Sequence, residues 1–177
     1  MRIITGIYKG RHFDIPRTFK ARPTTDFAKE NIFNVLQQYV DFDGATALDL
    51  FSGTGSISLE LLSRGCSQVV SVELDRDHHR FIKECVGKLA PQQNIQCIRG
   101  DVFRFVKSCR LQFDFIFADP PYALRELAQI PDLVLGRDML RDGGVFVMEH
   151  GKDNDFSRHP RFVGHRAYGS VNFSLFQ

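Results

Sequence analysis

The sequence predicts a doubly wound α/β domain preceded by a short basic β-hairpin. Three observations carry this. From residue 45 onward, short apolar runs alternate with helical stretches, the pattern of a mostly parallel sheet covered on both faces. A glycine-containing loop directly follows the first of those runs, where open α/β sheets bind ligands. Ahead of them, residues 1–22 hold Arg2, Lys9, Arg11, Arg17, Lys20 and Arg22 against Asp14 alone, more than the whole net charge of +2.

Taken in order, residues 2–8 (RIITGIY) and 11–15 (RHFDI) read as two β-rich runs around Lys9-Gly10, a hairpin signal, with Pro16 closing the second. Thr24 or Thr25 can cap a helix whose apolar residues Ala28, Ile32, Val35, Leu36 and Tyr39 recur at helical spacing to about Val40. Parallel strands are expected at 45–50, 68–73, 94–98, 113–118 and 144–148, with helices near 56–64, 75–89, 101–108 and 124–137 between them. The tail offers strands near 161–168 and 171–176 around Gly169-Ser170, an antiparallel hairpin at a sheet edge. Two units result: the hairpin at 1–22 and the α/β domain at 23–177.

The 177 residues suit one domain and bury roughly 70% of the unfolded surface. With 25% charged and 43% hydrophobic residues a disordered chain is excluded, and no apolar run is long enough for a membrane span. The opening MRIITG has no leader-like apolar region, so no secretory signal is expected. Cys66, Cys85, Cys97 and Cys109 form no Cys-x-x-Cys pair and read as reduced thiols of a cytoplasmic protein. The six histidines show no ligand spacing, so no metal is expected.

The chemistry concentrates after the strands. In Asp49-Leu50-Phe51-Ser52-Gly53-Thr54-Gly55 the two glycines allow a tight turn and close approach of backbone to ligand. Ser58 stands where a dinucleotide fingerprint needs its third glycine, and Asp49 would repel a pyrophosphate but suit an ammonium and a sulfonium. Glu73 lies 20 residues beyond Gly53, where a carboxylate can accept both hydroxyls of a ribose or simply end its strand. Asp101, in Arg99-Gly100-Asp101-Val102, can accept an adenine amine or cap the following helix.

The most specific segment is Asp119-Pro120-Pro121-Tyr122, directly after FDFIFA. Two prolines stiffen the backbone and remove two N–H donors, leaving carbonyls and a carboxylate. This acceptor-only arrangement suits a planar –NH₂: Asp119 and Pro120 each take one N–H, the nitrogen lone pair becomes available to a methyl group, and Tyr122 stacks on the base.

In order, these motifs resemble those of class I S-adenosylmethionine (SAM) methyltransferases acting on amino nitrogens. MRIITGIYKGR, ARPTTDFAKENIFNVL, ADPPY, DGGVFVMEH and AYGSVNFSLF are similar to the bacterial 16S ribosomal RNA guanine-N2 methyltransferase family, the small-subunit methyltransferase D type, over nearly the full length. The resemblance implies a seven-stranded Rossmann-like sheet with an N-terminal β-hairpin, and an rRNA-methylating, RNA-binding cytoplasmic transferase acting on one guanine of a hairpin loop. It implies SAM as cofactor, S-adenosylhomocysteine as product and no metal. Asp49, Phe51, Gly53, Gly55, Glu73, Leu74, Asp101 and Val102 would hold the cofactor, and Asp119, Pro120, Pro121 and Tyr122 the reacting amine. Arg2, Lys9, Arg11, Arg22 and Thr24 would contact 16S rRNA or the small subunit, with Tyr8, Phe13 and Phe19 interleaved for stacking. A monomer is expected. The chain departs from the family in Lys29-Glu30, where an Arg usually precedes the helix Glu, and in trimmed loops between 123 and 143.

Three rivals remain open at this stage. An adenine-N6 DNA methyltransferase also uses Asp-Pro-Pro-Tyr but needs a target-recognition region that this length lacks. A non-catalytic RNA-binding assembly factor would be expected to have lost Asp119 or the glycines. A nicotinamide oxidoreductase fits neither Asp49 nor Ser58.

Overall fold

The computed structural model describes residues 1–20, 23–89 and 94–177. A single seven-stranded sheet runs through them, built from β1 (Thr46–Leu50), β2 (Gln68–Glu73), β3 (Ile95–Arg99), β4 (Phe113–Ala118), β5 (Leu140–His150), β6 (Phe162–Tyr168) and β7 (Val171–Phe176). Their spatial order is β3-β2-β1-β4-β5-β7-β6. The first five strands are parallel and β7 enters antiparallel between β5 and β6, as expected from the alternating elements and the tail hairpin.

Strand alternation divides the core into two layers. Ala47, Val69, Phe115, Phe117, Val145, Val147, Phe173 and Leu175 face one side. There they meet α1 (Asp26–Leu36), α2 (Ser56–Ser63) and α3 (Arg76–Leu89) through Ile32, Phe33, Leu59 and Phe81. Leu48, Leu50, Val70, Val72, Ile116, Phe146 and Met148 face the other side, under α4 (Val102–Ser108) and α5 (Ile130–Leu135). Neither face could be left in water, since each side chain of this size buries about 1.5–3 kcal/mol of transfer free energy.

Several boundaries differ from the sequence reading. The helix expected to reach Val40 ends at Leu36, because the Tyr39 and Val40 N–H groups both turn back to the Leu36 carbonyl. The helix expected over 124–137 is a 3-10 turn at Leu127–Gln129 followed by α5; Pro131 lacks an N–H and fits only a first helical turn. The strand expected at 144–148 begins at Leu140, pairing with Phe113 before the register shifts past Gly143 and Gly144.

The N-terminal hairpin is present, but its strands are shorter than expected. Over residues 2–8 and 11–15 one bridge joins Arg2 and His12, flanked by Ile3 N–H to Arg11 O and Phe13 N–H to Met1 O at 2.9 Å each. Beyond this short paired stretch the N–H groups of the first arm go to α2. Ile4 and Thr5 donate to the Glu60 carboxylate at 2.9 and 3.0 Å, Ile7 to the Ser63 carbonyl at 2.8 Å and Tyr8 to Ser63 Oγ at 3.0 Å. Gly6, at φ +96°, makes this docking possible: a Cβ there would lie 1.9 Å from the Ser63 carbonyl oxygen.

Candidate active site

Strand order reverses between β1 and β4, so the connections leaving their carboxyl ends part to opposite faces and open a crevice. A cavity of about 900 Å³ lies there. It brings together Asp49 near the end of β1, Phe51 just after it, Gly53 in the loop, Glu73 at the end of β2 and Leu74 after it, Asp101 and Val102 after β3, and Asp119 through Tyr122 after β4. Thr24 lines it too.

The glycine loop is held from below. Ser52 Oγ donates to the Asp49 carbonyl at 2.8 Å and receives a hydrogen bond from Ser71 Oγ at 2.8 Å. Gly53 N–H donates to Glu73 Oε2 at 2.6 Å. Phe51 adopts φ +58°, a left-handed conformation that costs a non-glycine residue about 1 kcal/mol or more. Gly55 plays a different part from the one expected. It lies outside the cavity lining, and at φ +81° its missing Cβ lets α2 approach Ile82 of α3, where a Cβ would sit 2.8 Å from Cγ1.

Electrostatically the crevice is acidic. Asp49 is buried, accepts the Ser58 hydroxyl at 2.6 Å, and is pushed up to about 7, chiefly by desolvation. Asp119 is raised well above the ordinary carboxylate range by burial and by the neighbouring charges of Glu149 and Asp49. Asp101 serves its cap, Oδ1 accepting Arg104 N–H at 3.0 Å, while its side chain also lines the cavity. Phe51 and Phe103 meet edge to face at 6.2 Å, and Leu74 is exposed. The crevice thus gathers several acidic side chains with apolar groups among them.

The expected RNA contacts scatter. Arg2 pairs with Asp26 at 3.1 Å, Lys9 stands exposed on its turn, and Arg11 donates to the Lys88 carbonyl at 3.0 Å. Arg22 lies outside the described residues. Thr24 is buried, its hydroxyl donating to Glu149 Oε2 at 3.0 Å.

The family described as Conserved hypothetical protein 95 matches residues 1–177. The chain belongs to that family. It is similar to YlbH of Bacillus subtilis, with 35% identity over 167 residues, covering 93% of this chain and 88% of YlbH. It is similar to the ribosomal RNA small subunit methyltransferase D of Haemophilus influenzae, with 29% identity over 182 residues, covering 100% of this chain and 93% of the relative. Among solved structures, yhhF of Escherichia coli superposes with a TM-score of 0.86 and 26% identity, covering 100% of this chain and 97% of its own.

In this member of the Conserved hypothetical protein 95 family, several cavity residues escaped the sequence reading, Glu149 and Phe103 among them. Glu149, buried one residue before the end of β5, accepts Tyr122 Oη at 3.0 Å beside the Thr24 contact. A carboxylate ending an apolar strand was its sequence signal, the same one that marks Glu73. Lys20 lines the cavity; only its place in the basic N-terminal segment announced it. Among the described residues, no group of three or more His, Cys, Asp and Glu could hold a metal ion.

Proposed function

We propose that this chain transfers a methyl group from SAM to the exocyclic N2 amine of a guanine in 16S rRNA. The observation that carries this is the convergence of Asp119-Pro120-Pro121-Tyr122 with the acidic residues at the ends of β1 and β2 in one cavity. The name of the Haemophilus influenzae relative supports rRNA as the substrate.

The residues present fit the cofactor. Asp49 suits the ammonium of its methionine end, Glu73 its ribose hydroxyls, and Phe51, Leu74, Val102 and Phe103 its adenine, with Asp101 beside the adenine amine. SAM supplies a methyl group on a sulfonium and leaves as S-adenosylhomocysteine. Asp119 and the Pro120 carbonyl each accept one N–H of the guanine amine, which localises the nitrogen lone pair and aims it at the methyl carbon. As the N–C bond forms the nitrogen becomes positive, both hydrogen bonds strengthen, and the Asp119 carboxylate takes the released proton. Bonds that strengthen in this way stabilise the transition state more than the ground state. Pro121 fixes the turn, and the half-exposed Tyr122 ring stacks on the base.

Residues 1–22 serve as an RNA-contacting extension of the domain that follows. Lys20 lines the cavity, and Arg2, Lys9, Arg11 and Arg22 would supply further positive charge to phosphates. Among the described residues no helix is long and apolar enough to cross a membrane. Work on rRNA belongs to the cytoplasm, and nothing in the site needs a second copy of the chain. The test is incubation with SAM and small subunits from a strain lacking the enzyme, followed by nucleoside mass analysis. N2-methylguanosine in 16S rRNA is expected; its absence together with N6-methyladenine in DNA would favour the adenine-N6 reading.

A further inference from the structure

Glu149 lies one residue before the end of β5, beside β4, and lines the same cavity as Asp119. It is 5% exposed. A buried carboxylate is costly unless hydrogen-bonded, and two hydroxyl donors hold it: Thr24 Oγ1 on Oε2 and Tyr122 Oη on Oε1, each at 3.0 Å. Neither donor is a cation, so no positive charge offsets Glu149 beside Asp119, and burial raises its carboxyl above the ordinary pKa. The Tyr122 ring is fixed from a second side by Gly151, where a Cβ would lie 3.2 Å from Cδ2. The hydroxyl bonds leave further lone pairs on the carboxylate, since two oxygens offer about four acceptor sites.

On the basis of the proposed methyl transfer, we infer that Glu149 reads the target base, accepting the N1–H of guanine while Asp119 accepts an N2–H. Two neighbouring acceptors match an edge that presents two neighbouring donors. Guanine presents N1–H and N2–H side by side. Adenine presents an amine next to the N1 lone pair, which would face the Glu149 carboxylate. Glu149 therefore supplies the discrimination that Asp119-Pro120-Pro121-Tyr122 lacks, and it does so while positioning the stacking ring.

2,6-Diaminopurine separates these roles, because it keeps the N2 amine but replaces N1–H by a lone pair. The experiment places guanine or 2,6-diaminopurine at the target position of synthetic 16S rRNA, reconstituted into small subunits. Methyl transfer is measured at about pH 8.5, where the carboxylate form is favoured. The wild type should prefer guanine by about tenfold or more in kcat/KM, since a buried acceptor is left opposite a lone pair in the analogue. In Glu149→Gln, whose amide can donate to N1, the ratio should fall towards one or reverse, with SAM affinity within about twofold of wild type. Equal wild-type rates on the two bases would overturn the inference without any variant, as would a Glu149→Gln enzyme slowed in proportion on both. If the wild type methylates neither RNA while binding SAM, the methyltransferase reading itself falls and this one with it.

Discussion

Glu73 reaches back from the end of β2 to accept the Gly53 N–H at 2.6 Å, and its other oxygen accepts Asp75 N–H at 3.0 Å. One side chain thus closes the glycine loop and frames the crevice where a ribose would lie. Glu73→Ala should weaken SAM binding by about 1–3 kcal/mol, the range for a lost charge-assisted pair. Glu73→Gln, which keeps one acceptor, should lose less. Calorimetry returning wild-type affinity for the alanine variant would remove Glu73 from the cofactor site.

Asp49 gives a pH dependence of known sign. Burial holds its native pKa at about 7 against 3.8 for an ordinary carboxylate. The native state therefore retains a proton that the unfolded chain has released. This contribution to stability is complete below about pH 4 and is lost as pH rises through about 7. Cation binding runs the other way, because it needs the ionised form. Ligand-free Asp49→Asn should be more stable than wild type at pH 8 by roughly 1–3 kcal/mol. Its SAM affinity should be low at every pH, while wild-type affinity should climb between about pH 6 and 8. Thermal melts and titrations across that range check both; an Asn variant that melts like wild type at pH 8 would refute the buried-charge account.

The positions of the core strands were legible because they present apolar side chains to both core layers, which makes near-continuous apolar runs such as QVVSVE and FDFIFA. The crevice was legible for the same reason, since Asp49, Glu73, Asp101 and Asp119 each lie at or just beyond the carboxyl end of a readable strand. Glu149 was not, because its partners Thr24 and Tyr122 come from chain positions 125 and 27 residues away. The length of the N-terminal hairpin strands was not legible for a related reason: Ile3, Gly10 and Phe13 pair across the hairpin, but the N–H groups of Ile4, Thr5, Ile7 and Tyr8 find Glu60 and Ser63 across the fold. Pro131 was readable locally and marked the start of α5 within a stretch expected to be one helix.

Glu60 is the anchor of that N-terminal segment. Fully buried, it accepts Ile4 N–H, Thr5 N–H and Arg64 Nε, with Lys29 Nζ at 3.8 Å. Lys29 is itself buried, is pushed below its ordinary pKa by desolvation, and donates to Ser56 Oγ at the start of α2. Glu60→Ala leaves two cations and two N–H groups uncompensated and should cost about 3–5 kcal/mol in urea unfolding. A loss under about 1 kcal/mol would mean the segment is not held by this carboxylate.

The basic extension makes a separate prediction in salt. Affinity for small-subunit RNA should fall with salt at a slope of roughly −0.7 to −0.9 per phosphate contact. Replacing Arg2, Lys9 and Arg11 together should flatten the slope and leave SAM affinity alone. A triple variant with the wild-type slope would mean that RNA binds elsewhere.

The central claim is that Asp119 acts on the target amine in the chemical step, and single-turnover methyl transfer to small-subunit RNA tests it most directly. With SAM affinity measured on the same preparations, Asp119→Ala should lose about 10²–10³ in rate, by analogy with removing one group that stabilises developing charge. Its SAM affinity should change by under about 1 kcal/mol, the net value of an ordinary hydrogen bond. Near-wild-type transfer by Asp119→Ala would contradict the account.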